Sequence, residues 1–168
     1  TISATGAGLS GASAVHMNIF GLHPVVVFGT EEQKKRWLPP LIEGKDKACF
    51  GVTEPNAGLN TLKLQTRAVR DGDHYVVHGQ KVFISTAQVA NKILLLTRTT
   101  PVEQARGTEG LTLFYTDLDR SKIEVHEIAK LGRGCVDTNQ LFIDGLRIPV
   151  EDRIGEEGKG FSYILHGM

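Results

Sequence analysis

The sequence predicts an α+β chain in which a helical N-terminal segment is followed by an antiparallel barrel or sandwich. Two stretches before residue 45 space their apolar residues as a helix does. From residue 47 the period shortens to runs rich in β-branched, aromatic and apolar side chains. Glycine-bearing pairs, Asp71-Gly72, His78-Gly79 and Asp144-Gly145, punctuate those runs as turns, the first with the composition of a tight hairpin.

The first helix is expected within residues 6–20, where Leu9, Ala12, His16, Ile19 and Phe20 share one apolar face. Gly8 and Gly11 weaken it but permit close packing, and Gly21 and Pro24 end it. His16 is read as a core histidine, because no second histidine or carboxylate stands at metal spacing. Thr30-Glu-Glu-Gln33 is a capping box that starts a second helix, from about residue 31 to 38. Pro39 and Pro40 end that helix or restart a turn. Trp37, Leu38, Leu41 and Ile42 form its buried side, Lys34-Lys35-Arg36 its solvated face, and Gly44 closes it.

Six strands are expected in the runs His74-Tyr-Val-Val-His78, Lys81-Val-Phe-Ile-Ser85, Lys92-Ile-Leu-Leu-Leu-Thr97, Leu111-Thr-Leu-Phe-Tyr115, Lys122-Ile-Glu-Val-His126 and Gln140-Leu-Phe-Ile143. The polar stretch 99–110, with Pro101 and Gly107, should be an exposed loop. Gly155, Gly158 and Gly160 fit neither a P-loop nor a dinucleotide fingerprint, so residues 148–160 read as a hinge into a further helix. The chain begins at Thr1 and stops at Met168, just after the apolar stretch 161–165, as a fragment would.

Composition narrows the function. With 19 Lys+Arg against 19 Asp+Glu there is no net field to gather nucleic acid or an anionic membrane, so an anionic ligand must be held locally. Cys49 and Cys135 lie far apart without a CxxC pattern, which predicts two buried free thiols rather than a zinc site or a disulfide framework. No apolar run approaches the roughly 20 residues that span a bilayer. The stretch with the best claim to chemistry is Cys49-Phe-Gly-Val-Thr-Glu-Pro-Asn-Ala-Gly-Leu-Asn60. Gly51 and Gly58 would let the backbone approach a bound molecule, Pro55 stiffens the turn, and Thr53 and Glu54 set polar groups beside Phe50 and Val52. A plain turn between domains shares many of these features.

Gly29-Thr-Glu-Glu-Gln33 with Leu38-Pro-Pro-Leu41, Phe50-Gly-Val-Thr-Glu-Pro-Asn-Ala-Gly58, Gly79-Gln-Lys-Val-Phe-Ile-Ser85, Asp137-Thr138, Ile148-Pro149 and Gly155-Glu-Glu-Gly-Lys-Gly-Phe161 occur in an order that resembles acyl-CoA dehydrogenases over nearly the whole chain. The resemblance implies the end of an N-terminal helical domain at 1–47, a middle antiparallel β-barrel at 48–157 and the start of a C-terminal helical domain at 158–168. It implies FAD as cofactor, an acyl-CoA substrate, an electron-transfer flavoprotein as partner and a homo-oligomer. It leaves the compartment open: cytoplasmic if the source is bacterial, mitochondrial or peroxisomal if it is eukaryotic. The α-proton of the thioester would be removed by a glutamate of the C-terminal bundle, so no catalytic residue is expected here, and a fragment alone should be inactive and hold FAD weakly or not at all.

Carried over position by position, the first flavin segment is Phe50, Gly51, Val52, Thr53, Gly58 and Leu59, with the Val52 and Thr53 amides and the Thr53 hydroxyl at the polar edge of the isoalloxazine. The second is Phe83, Ile84 and Ser85, with the phenyl ring against the flavin and the Ser85 hydroxyl toward N5. Alternation in a strand would put Phe83 and Ser85 on one face. Glu54 belongs to the turn and is not the base. Three positions depart from the family. Leu59-Asn60 stands where a Ser or Thr and an Asp usually do, leaving Leu59 only its backbone amide for substrate phosphate. Phe83 replaces a frequent tryptophan. Arg133 falls one position earlier than the usual arginine. A flavin oxidase or monooxygenase of the same fold, or a non-enzymatic binding barrel, are the alternative readings.

Overall fold

Strand β4 (Lys92–Arg98) carries the sheet: Ile93, Leu94, Leu95 and Leu96 are all buried, so both of its faces must be covered. Ile93 and Leu95 join Cys49, Tyr75, Phe114, Leu141 and Ile148 in a core built from strand and loop residues. Leu94 and Leu96 join Trp37, Val25, Leu111, Tyr115 and Ile154 in a second core shared with the helices. The computed structural model describes residues 2–166, without the side chains of Ser3, Asn18, Ile19 and Phe20.

The other strands are β1 (Ala48–Gly51), β2 (Arg67–Asp71), β3 (His74–Ser85), β5 (Leu111–Asp117), β6 (Ile123–Glu127) and β7 (Thr138–Pro149). They are ordered β1-β4-β2-β3-β7-β6, with β5 also paired to β4. The result is helices followed by a strongly curled half-barrel, the expected fold class. Its pairing is mixed where an antiparallel sheet was predicted. β1 runs parallel to β4, from Ala48↔Lys92 to Gly51↔Leu95, and β2 meets β4 in parallel at Arg67↔Arg98. Parallel neighbours need a crossover, and here the β2–β3 hairpin lies within the connection between β1 and β4.

Asp71-Gly72 does turn that hairpin, with Asp71 opposite His74 and Gly72 at φ 62°. The other two predicted turns lie inside long strands. His78-Gly79 sits mid-β3, where a Cβ on Gly79 would come within 2.7 Å of the Thr66 backbone; the glycine admits the lead-in to β2. Asp144-Gly145 sits mid-β7: Val77 pairs with Leu146 and His78 with Asp144, leaving Gly145 as an extra residue at φ 69°. A second irregularity falls between Lys81 and Ile84, opposite Leu141 and Asn139. Such bulges bend and twist a strand, which curls the sheet.

Helix α1 (Gly8–Ile19) forms, yet Leu9 is 84 % exposed and His16 is exposed as well. Their predicted core face is therefore turned outward, while the Ile19 and Phe20 side chains of that face lie outside the described residues. Pro24 starts a helix, α2 (His23–Phe28), because its missing N–H costs nothing in a first turn. Helix α3 (Glu31–Ile42) passes through Pro39 and Pro40, which fall in its last turn, and Gly44 closes it at φ 73°. Trp37 is buried against Tyr115, ring centroids 5.0 Å apart, whereas Ile42 is exposed. Cys49 is buried as expected; Cys135 is exposed, in a loop that the core does not reach. Near α4 (Gly160–Leu165), Gly155 and Gly160 leave no room for a Cβ against Tyr163 and the β5 backbone, so these glycines serve close packing.

The capping box does more than start α3. Thr30 Oγ1 accepts from the Gln33 N–H at 3.2 Å and Gln33 Oε1 from the Thr30 N–H at 2.9 Å. The buried Gln33 Nε2 also donates to the carbonyls of Glu151 (2.7 Å) and Arg153 (2.8 Å), and Arg36, expected in solvent, bonds Asp152 at 2.5 Å. Gln33→Leu should therefore cost about 2 kcal/mol or more, since it leaves two carbonyls unsatisfied and undoes half the box. Thr30→Ala should cost only about 1 kcal/mol. Denaturant unfolding of the two variants checks the order.

Candidate functional site

Beyond β1 the chain leaves the sheet at Val52 and closes a tight turn, with reciprocal hydrogen bonds between the backbones of Glu54 and Ala57 at 3.2 and 3.1 Å. The Glu54 carboxylate points inward. Its Oε1 accepts from the Thr66 N–H and from Lys81 Nζ, both at 2.9 Å, and its Oε2 from the Gln65 N–H at 2.7 Å. Lys81 is completely buried and donates further to the carbonyls of Val52 (3.0 Å) and Leu96 (2.7 Å). Burial pushes the Glu54 carboxyl up, but the Lys81 ammonium and the hydrogen bonds from Thr66 and Gln65 outweigh it and hold the group below its ordinary value. Burial brings Lys81 down to about 8 against the pull of Glu54. At neutral pH both remain charged, and Glu54 has no freedom to act as a base.

The two sequence segments predicted to share a site do meet. The Val82 N–H donates to the Thr53 carbonyl at 2.9 Å, and Thr86 Oγ1 to the Ala48 carbonyl at 3.2 Å, so residues 48–53 lie along residues 82–86. Within the second segment Phe83 has φ 60° and Thr86 φ 64°. A bulky residue in the left-handed region costs about 1–3 kcal/mol and persists only where its surroundings enforce it. Here the bulge forces it, leaving the Phe83 ring 66 % exposed while Ile84 turns into the core. Phe83 is thus exposed beside the buried Ile84 through a strained arch instead of a regular strand, and Ser85 after it is half-buried.

Asn139 braces the arch. Fully buried on β7, it donates from Nδ2 to the Ile84 carbonyl at 2.9 Å and to Asp137, and accepts from Gln88 Nε2 at 2.8 Å. Asp137 also takes the Gln88 N–H at 3.0 Å. Neither Lys81 nor Asn139 was singled out from sequence. For Lys81 a signal existed: a lysine amid strand residues and a glutamate in an apolar turn are each costly to bury alone. For Asn139 there was none.

Among the residues predicted to bind, Gly51 is explained by packing, since a Cβ there would meet Ile93 at 2.9 Å and Leu95 at 3.1 Å. Phe50 is half-buried beside Gly21, and Ile84 offers only its backbone. Gly58 is open, with Thr53 no nearer than 4.0 Å to its would-be Cβ, and Leu59 beside it is fully exposed. The Thr53 and Ser85 hydroxyls are half-buried and bond no other group among the described residues. An exposed ring on a segment joined to that of Thr53, with the Thr53 and Ser85 hydroxyls free of partners among the described residues, suits a planar ligand with a polar edge. No group of metal-binding residues occurs among the described residues.

Residues 49–146 match the family model of the acyl-CoA dehydrogenase middle domain, and residues 1–45 that of the N-terminal domain. A short-chain-specific acyl-CoA dehydrogenase of Clostridium acetobutylicum is 36% identical over 96% of this chain and 41% of its own length. The caffeyl-CoA reductase-Etf complex subunit CarC of Acetobacterium woodii is 33% identical over 95% of this chain and 42% of its own. The structure of butyryl-CoA dehydrogenase from Megasphaera elsdenii superposes with a TM-score of 0.86 at 31% identity, covering 94% of this chain and 42% of the other. The chain thus spans about two fifths of the length of these relatives.

The buried pair makes stability depend on acid. A carboxyl whose folded pKa is depressed contributes stability that is complete above its unfolded value, near 4.5, and is lost as pH falls through the folded one. Glu54→Gln should lower stability at pH 7 by about 3 kcal/mol or more, because it strands a buried ammonium. It should also flatten the decline below pH 4.5. Unfolding free energy measured from pH 3 to 7 tests both effects.

Proposed function

The chain belongs to the acyl-CoA dehydrogenase family, and on that premise we propose that the whole protein oxidises an acyl-CoA thioester to its 2-enoyl form with FAD as cofactor. The family is flavin-dependent. The observation that carries the reading is the arch: an exposed aromatic ring held at φ 60°, on a segment joined by the Val82–Thr53 hydrogen bond to the turn of residues 52–58. These residues fit an isoalloxazine, which needs an apolar face and donors at one edge.

In this reading FAD, when bound, supplies the hydride acceptor at N5. The Phe83 ring covers part of the flavin face and the Ser85 hydroxyl is directed to the N5 side. Thr53, through its hydroxyl and amide, and the Val52 amide serve the polar edge, where reduction places charge. Ile84 and Phe50 contribute through backbone and packing, Gly51 by letting β1 lie close on β4, and Gly58 by admitting the cofactor closely. The Leu59 amide meets the phosphates of cofactor or substrate. Proton removal from the substrate is assigned to a group outside residues 1–168, because Glu54 is consumed by Lys81, Thr66 and Gln65. Electrons pass to an electron-transfer flavoprotein, a partner named for the CarC relative's complex. The protein is a homo-oligomer divided at 1–47, 48–157 and 158 onward, a division that the family-model limits at 45 and 49 support.

The full-length protein is expected to purify yellow and to bleach anaerobically with a short-chain acyl-CoA. Re-oxidation by an electron-transfer flavoprotein in preference to oxygen marks a dehydrogenase, and fast re-oxidation by oxygen an oxidase or monooxygenase. Absence of flavin defeats the reading. Glycine substitutions separate ligand from packing roles. Gly58→Ala should leave the melting temperature unchanged and weaken FAD retention, whereas Gly51→Ala should destabilise by about 1–3 kcal/mol through overpacking.

A further inference from the structure

We propose that Lys81 is a positioning residue for the flavin-facing turn, holding the Val52 carbonyl from behind so that the Thr53 amide is aimed, and strengthened as a donor, toward the polar edge of the cofactor. The proposal rests on the flavin-site reading above. Its geometry is local. The Lys81 ammonium has three protons and three acceptors: Glu54 Oε1 at 2.9 Å, the Val52 carbonyl at 3.0 Å and the Leu96 carbonyl at 2.7 Å. Leu96 lies on the buried strand β4, so the ammonium is placed by the core independently of the turn.

A trans peptide holds its C=O and N–H antiparallel. With the Val52 carbonyl directed at Lys81, the Thr53 N–H of the same peptide is directed away from it. A cation at the carbonyl end polarises the peptide and makes that N–H a better donor. The next peptide is fixed too, because the Thr53 carbonyl takes the Val82 N–H at 2.9 Å. Any buried ammonium needs an acceptor for each of its three protons; what bears on the site is that one of them is the carbonyl of the peptide that carries the Thr53 N–H. That carbonyl is what assigns Lys81 to the orientation of the turn.

The test uses the full-length protein as wild type, Lys81→Met, Glu54→Asp and the double variant Lys81→Met/Glu54→Leu. Melting temperature, FAD dissociation constant and flavin midpoint potential are measured for each. Lys81→Met is expected to bind FAD about tenfold more weakly or worse. Its potential should shift negative, because the charge that arises on reduction loses a polarised donor. The double variant removes both charges but strands the Val52 and Leu96 carbonyls and the Gln65 and Thr66 amides, so its melting temperature should stay below that of the wild type. It should keep the weakened FAD binding and the negative shift.

A double variant with wild-type FAD affinity and potential would overturn the proposal, leaving Lys81 a structural residue. Should the double variant fail to fold, Glu54→Asp decides. It keeps a carboxylate to hold Lys81 charged on the Val52 carbonyl and should stay close to the wild-type potential despite lower stability; a shift as large as that of Lys81→Met would sink the idea. A flavin-free wild type is a different failure, that of the flavin-site reading itself, and the proposal falls with it.

Discussion

One buried ion pair, Glu54 with Lys81, ties together the parts of this chain that have least else in common. Around it converge the end of β1 through Val52, the lead-in to β2 through Gln65 and Thr66, the middle of β3 through Lys81 itself and β4 through Leu96. These are the places where the parallel crossover takes the backbone out of the ladder, and a buried carbonyl or amide without a partner is expensive. Two charges taken out of water are expensive as well, and their mutual attraction offsets that only when the remaining lone pairs and protons are satisfied. Both conditions are met by the same five bonds. An apolar filling could hold the same volume but could not specify which way each peptide faces.

That orientation matters because the neighbouring segment is strained in the opposite sense. Phe83 and Thr86 occupy left-handed backbone conformations that only an enclosing structure maintains. Asn139 on β7 and Asp137 just before it hold the far side of the arch, and Lys81 anchors its near side four residues before Ser85. The bulge between Lys81 and Ile84 lets the same strand bury Lys81, Val82 and Ile84 while presenting Phe83 outward. In a regular strand Phe83 would share the face of the buried Lys81, since side chains two residues apart point the same way. Curl in the sheet and exposure of the ring therefore have one cause.

Sequence made the elements legible where local chemistry dictates them. The Thr30/Gln33 box, the Asp71-Gly72 hairpin and the apolar run of β4 each have a physical signature within a few residues. What it concealed was decided by distant partners. Gly79 and Gly145 look like turn residues, but one yields to Thr66 and the other is the extra residue of a bulge opposite Val77 and His78. β1 and β2 are short and mixed in composition, and their pairing with β4 becomes visible only when the crossover is known. For the site, the two segments were named correctly as neighbours, while the residues that hold them there were missed. Asn139 reads as one more polar strand residue until the strained carbonyl it serves is in view.

The distribution of charge within the site argues for a division of labour. Its carboxylates are engaged in structure: Glu54 by an ammonium and two amides, Asp137 by Gln88 and Asn139. What it exposes is an aromatic ring and an open glycine, with two half-buried hydroxyl residues nearby in sequence, none of which exchanges a proton near neutral pH. Such a surface can bind and orient a planar cofactor and stabilise charge that arises on it. It cannot take the proton whose removal must accompany hydride transfer from a thioester. On the proposed reading the acid–base group must therefore approach from another element of the protein, across the ligand from Phe83. The strain in the arch and the rigidity of the Glu54–Lys81 anchor then have a common rationale: this half of the site is fixed in advance, so that alignment with the second half is settled by the ligand lying between them.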